Sequence, residues 1–226
     1  MSSTIKQLSI MKKYLLLLLG ILCATLTFAN GQFEKAMSEN IPAMFAANNP
    51  AELQGVINQL ERIGAAEEDR WEPYYYAAFG YLRLSGMYET SEEKDTYLDL
   101  GMKAVEMGEE IKPNDSELET MRGYILMMKL VVDPASRGMM YSGLAFTSFQ
   151  KAIKLNPENP RAHFLMGRMQ HGTAQFMGGG SEEACASIFR ALMLFENNDK
   201  ENANPFAPSW GMEGTKESIK EICEKG

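Results

Sequence analysis

Only two histidines, His163 and His171, are available to act as general bases in this sequence. Most hydrolases and transferases place such a base beside a nucleophile, or gather several side chains around a metal ion. Neither histidine lies in a motif typical of such sites. We therefore expect no catalytic residues and no enzymatic activity. A site assembled from residues far apart in the sequence stays open as the alternative.

Sulfur and imidazole ligands occur together in one short stretch that contains His163, Met166, Met169 and His171. Such donors at helical spacing suit copper(I), and the chain has 17 methionines. Methionine is also a common filler of irregular helical cores. We interpret the stretch as core, with no metal site and no cofactor, and keep copper handling in the periplasm as the alternative.

A glycine-rich stretch, residues 178–180, stands directly before Ser181. The backbone N–H groups of such a stretch can bind phosphate at a helix N-terminus. However, Glu182 and Glu183 follow at once and would repel an anion, so we expect a turn with Ser181 as the N-cap of the next helix. The chain as a whole has a net charge of −8, which argues against nucleic acid as a partner.

The N-terminus has the pattern of a secretory signal peptide. Lys12 and Lys13 precede an uncharged run over residues 14–28, and small residues follow it. We place the signal peptide at about residues 11–29. The sequence therefore predicts an exported protein, periplasmic or secreted.

The cysteines bear on both anchoring and cross-linking. Cys23 follows Leu22, whereas lipoprotein processing sites have a small residue there, so we expect no lipid anchor. No later segment approaches the roughly 20 apolar residues that span a bilayer, so we expect no stable membrane insertion after cleavage. Cys185 and Cys223 remain, and an oxidising compartment permits a disulfide between them. Two separate buried thiols are the alternative.

Internal repeats determine the expected fold. Residues 111–115 are echoed by residues 155–159, and each copy has a glycine ten residues past its proline. These glycines are Gly123 and Gly167, and Gly80 stands 43 residues before Gly123. Each glycine is followed by a triplet at i, i+4 and i+7 with small outer members: Gly101-Val105-Gly108, Ala145-Phe149-Ala152 and Ala184-Ile188-Ala191. Because such positions share one helix face, each triplet can pack closely against a second helix that carries the glycine.

The glycine, the triplet and a proline five residues after the last small residue resemble the tetratricopeptide repeat family, of the exported bacterial type. Gly108 to Pro113 and Ala152 to Pro157 show the proline spacing. The gaps from glycine to triplet, 21, 22 and 17 residues, are longer than the family usually shows. The resemblance implies an all-α solenoid of antiparallel helix pairs, with about three extended repeats and helical caps.

The sequence is divided accordingly into four parts. Residues 1–29 are the signal peptide, residues 30–70 form N-terminal capping helices, residues 71–196 contain the three repeats, and residues 197–226 form a loop that folds back before a capping helix. Asparagine or aspartate before proline predicts helix N-caps at Asn49, Asp133 and Asn159. We expect nine helices, at 34–47, 50–65, 71–87, 91–111, 116–132, 135–155, 160–174, 181–196 and 212–224.

The resemblance also implies a concave binding surface lined by the first helix of each pair. In the family, the lining positions lie three before, one after and four after the glycine, and we expect the residue six before it at the rim of the groove. Carried over to this sequence, the side chains suited to binding are Tyr74, Tyr81, Tyr124, Met127, Arg161, Phe164, Arg168 and His171.

We expect this surface to bind another protein or peptide, and the two arginines, Arg161 and Arg168, to favour an acidic segment. Changing both arginines to glutamate should then abolish binding without loss of helix. Packing of the aromatic side chains between repeats is the alternative.

Overall fold

The computed structural model describes residues 31–198 and 204–224. The expected signal peptide, residues 1–29, lies outside these residues. The described residues form helices and turns, with no β-strand. Helix α1 covers residues 31–46, and a π-helical turn, Ile219–Cys223, continues the last helix. The remaining helices are α2 (Pro50–Ala66), α3 (Glu72–Ser85), α4 (Ser91–Ile111), α5 (Ser116–Val132), α6 (Pro134–Leu155), α7 (Pro160–Met177), α8 (Glu182–Asn198) and α9 (Met212–Ser218).

The helix starts follow the capping chemistry of the sequence. The Asn49 side chain accepts a hydrogen bond from the backbone N–H of Glu52 at 3.0 Å. Asp133 caps α6 in the same way, and Asn159 accepts from two N–H groups at the start of α7. Each of these caps precedes a proline in the first turn of the helix, where a missing N–H costs nothing. The three predicted N-caps are confirmed.

The helices pack as antiparallel pairs. α3 packs on α4, α5 on α6, and α7 on α8, and each pair also contacts the next. The first helices of the pairs form one layer, because α3 contacts α5 and α5 contacts α7. α2 packs on α3 at one end, and α9 packs on α8 at the other. The chain is therefore an all-α solenoid of helix pairs, as expected.

Close approach of the paired helices depends on the repeated glycines. A Cβ atom added to Gly123 of α5 would lie 2.5 Å from Phe149, the large member of the triplet in α6. A Cβ atom added to Gly167 of α7 would lie 2.6 Å from Ile188 in α8. The predicted pairing of glycine and triplet is thus confirmed in the second and third repeats.

The first repeat has a different register. A Cβ atom added to Gly80 would meet Ile57 of α2, 2.6 Å away, and not the triplet of α4. The α4 glycine Gly101 instead approaches the carbonyl oxygen of Ala78, 3.4 Å from its added Cβ. The expectation that Gly80 serves the pairing with α4 was wrong, because Gly80 is needed against Ile57 of α2, and Gly101 of α4 meets the backbone of Ala78 and the Cβ atom of Tyr81. The lining positions of α3 consequently shift by two residues.

The core consists of two clusters of buried side chains. The first joins α1 to α5 and contains Tyr75, Tyr76 and Leu84. The second joins α5 to α8 and contains Phe149 and Leu165. Among the described residues, no helix combines the length and apolar character needed to cross a membrane.

Candidate functional site

A segment after α8, residues 204–211, runs back across α3, α5 and α7, and we call it the strap. At its start, the Asn204 side-chain amide donates to Glu72 at the beginning of α3, with an N to O distance of 2.8 Å. The Tyr76 hydroxyl donates to the carbonyl oxygen of Ala207 at 3.1 Å. Phe206 packs edge-on against Phe33 of α1, with ring centroids 5.4 Å apart. The predicted fold-back of this segment therefore occurs on the layer formed by the first helices, which we call the inner surface.

Trp210 anchors the far end of the strap. Its ring stacks on Phe79 of α3, with centroids 4.9 Å apart and planes inclined by 16°. Its indole N–H donates to the Tyr75 hydroxyl at 2.8 Å, and its carbonyl oxygen accepts from Arg161 of α7 at 3.1 Å. The strap thus bridges α3 and α7 over the N-terminal halves of both helices.

The strap leads into α9 through a turn that requires glycine. Gly211 has a φ of 114°, and a Cβ atom there would lie 2.6 Å from the Phe195 ring. α9 and its π-helical extension pack on α8, and a disulfide joins Cys223 of the extension to Cys185 of α8. The predicted disulfide is confirmed.

The N-terminal halves of α3, α5 and α7 form the covered half of the inner surface. Arg161 makes a two-pronged ion pair with Glu117 of α5, with both N to O distances 2.8 Å. Both side chains are largely buried, with 8% and 16% of their surface exposed. Burial alone lowers the pKa of Arg161, but the Glu117 charge and hydrogen bonds outweigh it and raise the pKa. Because the Arg161 guanidinium already donates two hydrogen bonds to Glu117, Arg161 has little capacity to bind a carboxylate from another molecule.

Four of the eight predicted binding residues are buried. Tyr74 packs between Gly64 of α2 and Gly108 of α4. The Tyr81 hydroxyl donates to Glu61 of α2 at 2.8 Å, and burial followed by the Glu61 charge raises the pKa of Tyr81. These two tyrosines therefore lie outside the inner surface, as the register of the first repeat requires. The other two, Arg161 and Phe164, lie on the inner surface beneath the strap and α9.

The shifted register identifies the equivalent residues of α3. Counted from Ala78, the positions six before, three before and one after are Glu72, Tyr75 and Phe79. All three contact the strap. Sequence comparison with Gly80 missed them, although the pair of alanines before Phe79 was a signal that the small residue of this helix could lie earlier.

The other four predicted residues, Tyr124, Met127, Arg168 and His171, lie in the C-terminal parts of α5 and α7 and are half-buried or exposed. We call this region the open half. Burial raises the pKa of Tyr124, and the positive charge of Arg168 nearby partly offsets this effect. Within the described residues, the exposed Arg168 has no ion-pair partner. Their role in binding stays a prediction.

Four aromatic rings form a row between the two halves. Phe45 of α1 lies 5.7 Å from Phe79, Phe79 stacks on Trp210, and Trp210 lies 5.8 Å from Tyr124. Phe45 is 39% exposed and Phe79 is buried, whereas Trp210 and Tyr124 are half-buried. This row presents partly exposed ring surface that ends beside the charge of Arg168.

The histidines and methionines of the stretch 163–171 lie in different surroundings. Met166 and Met169 are buried in the second core cluster, and Nε2 of His163 lies 2.9 Å from the carbonyl oxygen of Pro157. No group of three or more histidine, cysteine, aspartate or glutamate side chains is arranged for a metal within residues 31–198 and 204–224. The burial of Met166 and Met169 is the arrangement that core packing predicts, and copper handling stays the alternative.

His171 and Ser181 form a hydrogen-bonded pair, with Nδ1 and Oγ 3.0 Å apart. In the described parts of the chain, the other ring nitrogen of His171 has no hydrogen-bond partner. A serine nucleophile usually needs a histidine that a carboxylate orients from the far side of the ring. Among the described residues, no carboxylate hydrogen-bonds to the far side of the His171 ring.

Comparison with known proteins supports the fold. No family model matches the chain, and no curated protein matches it. A solved structure titled HusA haemophore from Porphyromonas gingivalis is similar over 85% of this chain and 94% of its own, with 23% identity and a TM-score of 0.74.

Two further structures are similar at lower scores. They are TTC0263, a thermophilic TPR protein of Thermus thermophilus, and MamA. TTC0263 has 14% identity and a TM-score of 0.49, and the match covers 87% of this chain and 93% of that one. MamA has 12% identity and a TM-score of 0.41 over 77% and 89%. At these identities the similarities concern the fold alone.

Proposed function

We propose that the chain is a non-catalytic binding protein that holds a flat, apolar ligand bearing carboxylates on the open half of its inner surface. Haem is the member of this class that we would test first. The observation that carries the proposal is the row of partly exposed rings that ends beside Arg168. A ring system of matching shape could stack on the row while Arg168 pairs with a carboxylate.

Stacking would supply most of the affinity. Aromatic pairs contribute roughly 0.5–1.5 kcal/mol each beyond the burial of their area. The rings of Trp210 and Tyr124 are inclined by only 31°, so one planar ligand could contact both. The strap already covers the N-terminal half of the inner surface, so the ligand would bind on the C-terminal half.

The two arginines of α7 have different charge environments, and we assign them different roles for this reason. Arg161 is neutralised by Glu117, whereas Arg168 has no carboxylate partner among the described residues. A charged group at the rim of an apolar site orients the ligand and makes its affinity dependent on salt. Arg168 is therefore the residue that would select a ligand with carboxylates.

His171 would add a nitrogen ligand for iron. Its Nδ1 bonds Ser181, which would hold the ring and leave Nε2 for a metal carried by the ligand. Met127, four residues after Gly123 as His171 is after Gly167, has a thioether in the neighbouring position. The haem iron is cargo in this proposal, and the protein itself would have no resident metal.

The similarity to a haemophore is consistent with this ligand, although it concerns only the fold. The sequence pattern of a signal peptide at residues 11–29 adds that the protein would act outside the cytoplasm. Free haem is a suitable cargo for an exported protein with an apolar site and no enzymatic machinery. We infer capture or carriage of such a ligand rather than its chemical conversion.

A protein or peptide segment is the second candidate ligand. The strap favours it, because a segment of this chain without helix or strand lies on the inner surface with Trp210 as its anchor and with a carbonyl oxygen held by Arg161. A partner segment with an aromatic residue and a carboxylate could bind the open half in a similar way. Affinity capture from the cell envelope should then yield a stoichiometric protein that is lost on Arg168→Glu.

The proposed function is tested by titrating the mature chain with haem and following the absorbance of the porphyrin. We expect Arg168→Glu and Tyr124→Ala each to weaken binding at least tenfold. Arg190→Glu, at an exposed arginine of α8, is the matched control and should bind as the wild type does. Titration with iron-free protoporphyrin separates stacking from the contribution of His171. Absence of saturable binding, or equal affinity in all three variants, would overturn the proposal.

A further inference from the structure

Trp210 belongs to the strap and not to a helix, yet its ring completes the aromatic row. It lies between Phe79 and Tyr124, so without it the row would be interrupted. The ring remains half-buried although Tyr75 and Arg161 also hold this residue. Part of its surface is therefore available beside the open half.

The strap has little structure of its own to hold Trp210 in place. Within residues 204–211, its backbone forms one turn, in which the N–H of Ala207 donates to the carbonyl oxygen of Asn204 at 3.1 Å. The position of Trp210 therefore depends on its own contacts with the inner surface and on what fixes the two ends of the strap. At the first end, Asn204 bonds Glu72 and Phe206 is buried.

The second end depends on α9 and the π-helical turn. α9 has only seven residues, and a helix of that length is not stable by itself in water. It is fixed by packing on α8 and by the disulfide between Cys185 and Cys223. Among the described residues, the disulfide is thus the one covalent cross-link between the helical segment that follows the strap and the repeat beneath it.

We infer that Trp210 is a ligand-binding residue and that the Cys185–Cys223 disulfide is the device that positions it, an inference that rests on the proposed function. A dithiol reductant would supply two electrons and two protons, giving two cysteine thiols and the oxidised dithiol. Without the disulfide, α9 separates more readily from α8 and the strap from the inner surface, and the ligand loses one wall of its site. Ligand affinity then depends on the oxidation state of the two cysteines.

Porphyrin titrations test the assignment of Trp210. We would compare the oxidised wild type, the dithiothreitol-reduced wild type, the Cys185→Ser/Cys223→Ser variant and Trp210→Ala. Iron-free protoporphyrin is the probe for the reduced sample, since a dithiol can also reduce haem iron, and both probes are used for the others. We expect the dissociation constant to rise at least tenfold in the last three forms.

Combining the changes tests whether they act through the same wall. Trp210→Ala added to the Cys185→Ser/Cys223→Ser variant should weaken binding no further than Trp210→Ala does alone. Both changes remove the same contact, the one between the Trp210 ring and the ligand. Full additivity of the two effects would overturn the inference, since the disulfide would then act on the ligand by another route.

Fluorescence of the ligand-free protein tests the positioning role separately. The chain has two tryptophans, and Trp71→Phe leaves Trp210 as the only one. Acrylamide should quench Trp210 more strongly after Cys185→Ser/Cys223→Ser, while the helical circular dichroism stays largely unchanged. Unchanged quenching would overturn the disulfide as the positioning device.

Different outcomes would overturn the inference and the proposed function on which it rests. Binding by the oxidised wild type with equal affinity in Trp210→Ala would overturn the assignment of Trp210 alone. No porphyrin binding to the oxidised wild type would overturn the proposed function and, with it, the ligand role of Trp210. The quenching measurement decides the role of the disulfide in either case.

Discussion

Arg161 and Arg168 lie about two turns apart on α7, and the sequence predicts the same role for both. In the covered half, Arg161 is buried against Glu117 and bonds the strap. In the open half, Arg168 is exposed and has no ion-pair partner among the described residues. The difference shows that a lining position of the repeat becomes structural once the chain covers it, and remains available for binding where it does not.

The largest expected effect comes from breaking the covered ion pair. Arg161→Ala leaves Glu117 buried and unpaired, which costs about 3–5 kcal/mol of unfolding free energy. Arg168→Ala, at an exposed site, should change it by less than about 0.5 kcal/mol. Urea unfolding followed by circular dichroism measures both. Similar values for the two variants would show that the halves do not differ in this way.

This ion pair also changes an expectation from the sequence. Glutamate at Arg161 would place two carboxylates together in a buried site, since Glu117 remains there. The double change of Arg161 and Arg168 to glutamate should therefore lower the melting temperature and would not be a neutral test of binding. Arg168→Glu alone is the suitable variant.

Removing the disulfide between α8 and the π-helical turn is the next largest perturbation. Cys185 and Cys223 are 38 positions apart, and a closed loop of this size stabilises by about 3–4 kcal/mol in the chain-entropy model. We expect Cys185→Ser/Cys223→Ser to lose stability of this order in urea unfolding. Addition of dithiothreitol should lower the unfolding free energy of the wild type to that of the variant and leave the variant unchanged. A change in the variant would contradict the disulfide as the cause of the loss.

The turn between the strap and α9 should tolerate no side chain. Gly211→Ala places a Cβ atom at a φ of 114° and against Phe195, which costs about 1–3 kcal/mol. Gly138 of α6 has open space around it, so Gly138→Ala is the control and should stabilise by about 0.5–1 kcal/mol. A loss at Gly211 no greater than that at Gly138 would mean that the strap is not fixed at this turn.

Alkaline pH provides a smaller test of the covered half. Burial raises the pKa of Tyr76 to about 12, and its neutral hydroxyl donates to Ala207 of the strap. A raised folded-state pKa gives stability that is complete below the unfolded pKa of about 10 and is lost as the pH rises to 12. At pH 11 the loss should be about 1 kcal/mol, and Tyr76→Phe should reduce it. Equal losses in both proteins would exclude Tyr76 as the cause.

Local features of the sequence were sufficient for much of the fold. Capping pairs such as Asn159 with Pro160 act over a few residues, so the helix starts could be predicted. The glycines Gly123 and Gly167 each face a triplet at fixed spacing, which made the pairing of their helices predictable too. Gly80 was a misleading marker of the register in the first repeat, because a small residue allows close packing of a helix on either side. Ala78 is nearly as small as glycine.

The division of the inner surface could not be predicted in the same way. The contact of Trp210 with Tyr75 joins residues 135 positions apart, and no local pattern specifies which surface a proline-rich segment covers. Four predicted binding residues therefore proved to be buried. The residues that the strap meets, Phe79 above all, were missed because they follow Ala78 and not Gly80.

Amide hydrogen exchange with and without haem tests the central claim most directly, since it reports where on the chain a ligand binds. We predict added protection in peptides that cover residues 124–131 and 168–175, in the open half, and little change in residues 116–120 of the covered half. Protection that is confined to the covered half, or to surfaces outside α5 and α7, would contradict the account.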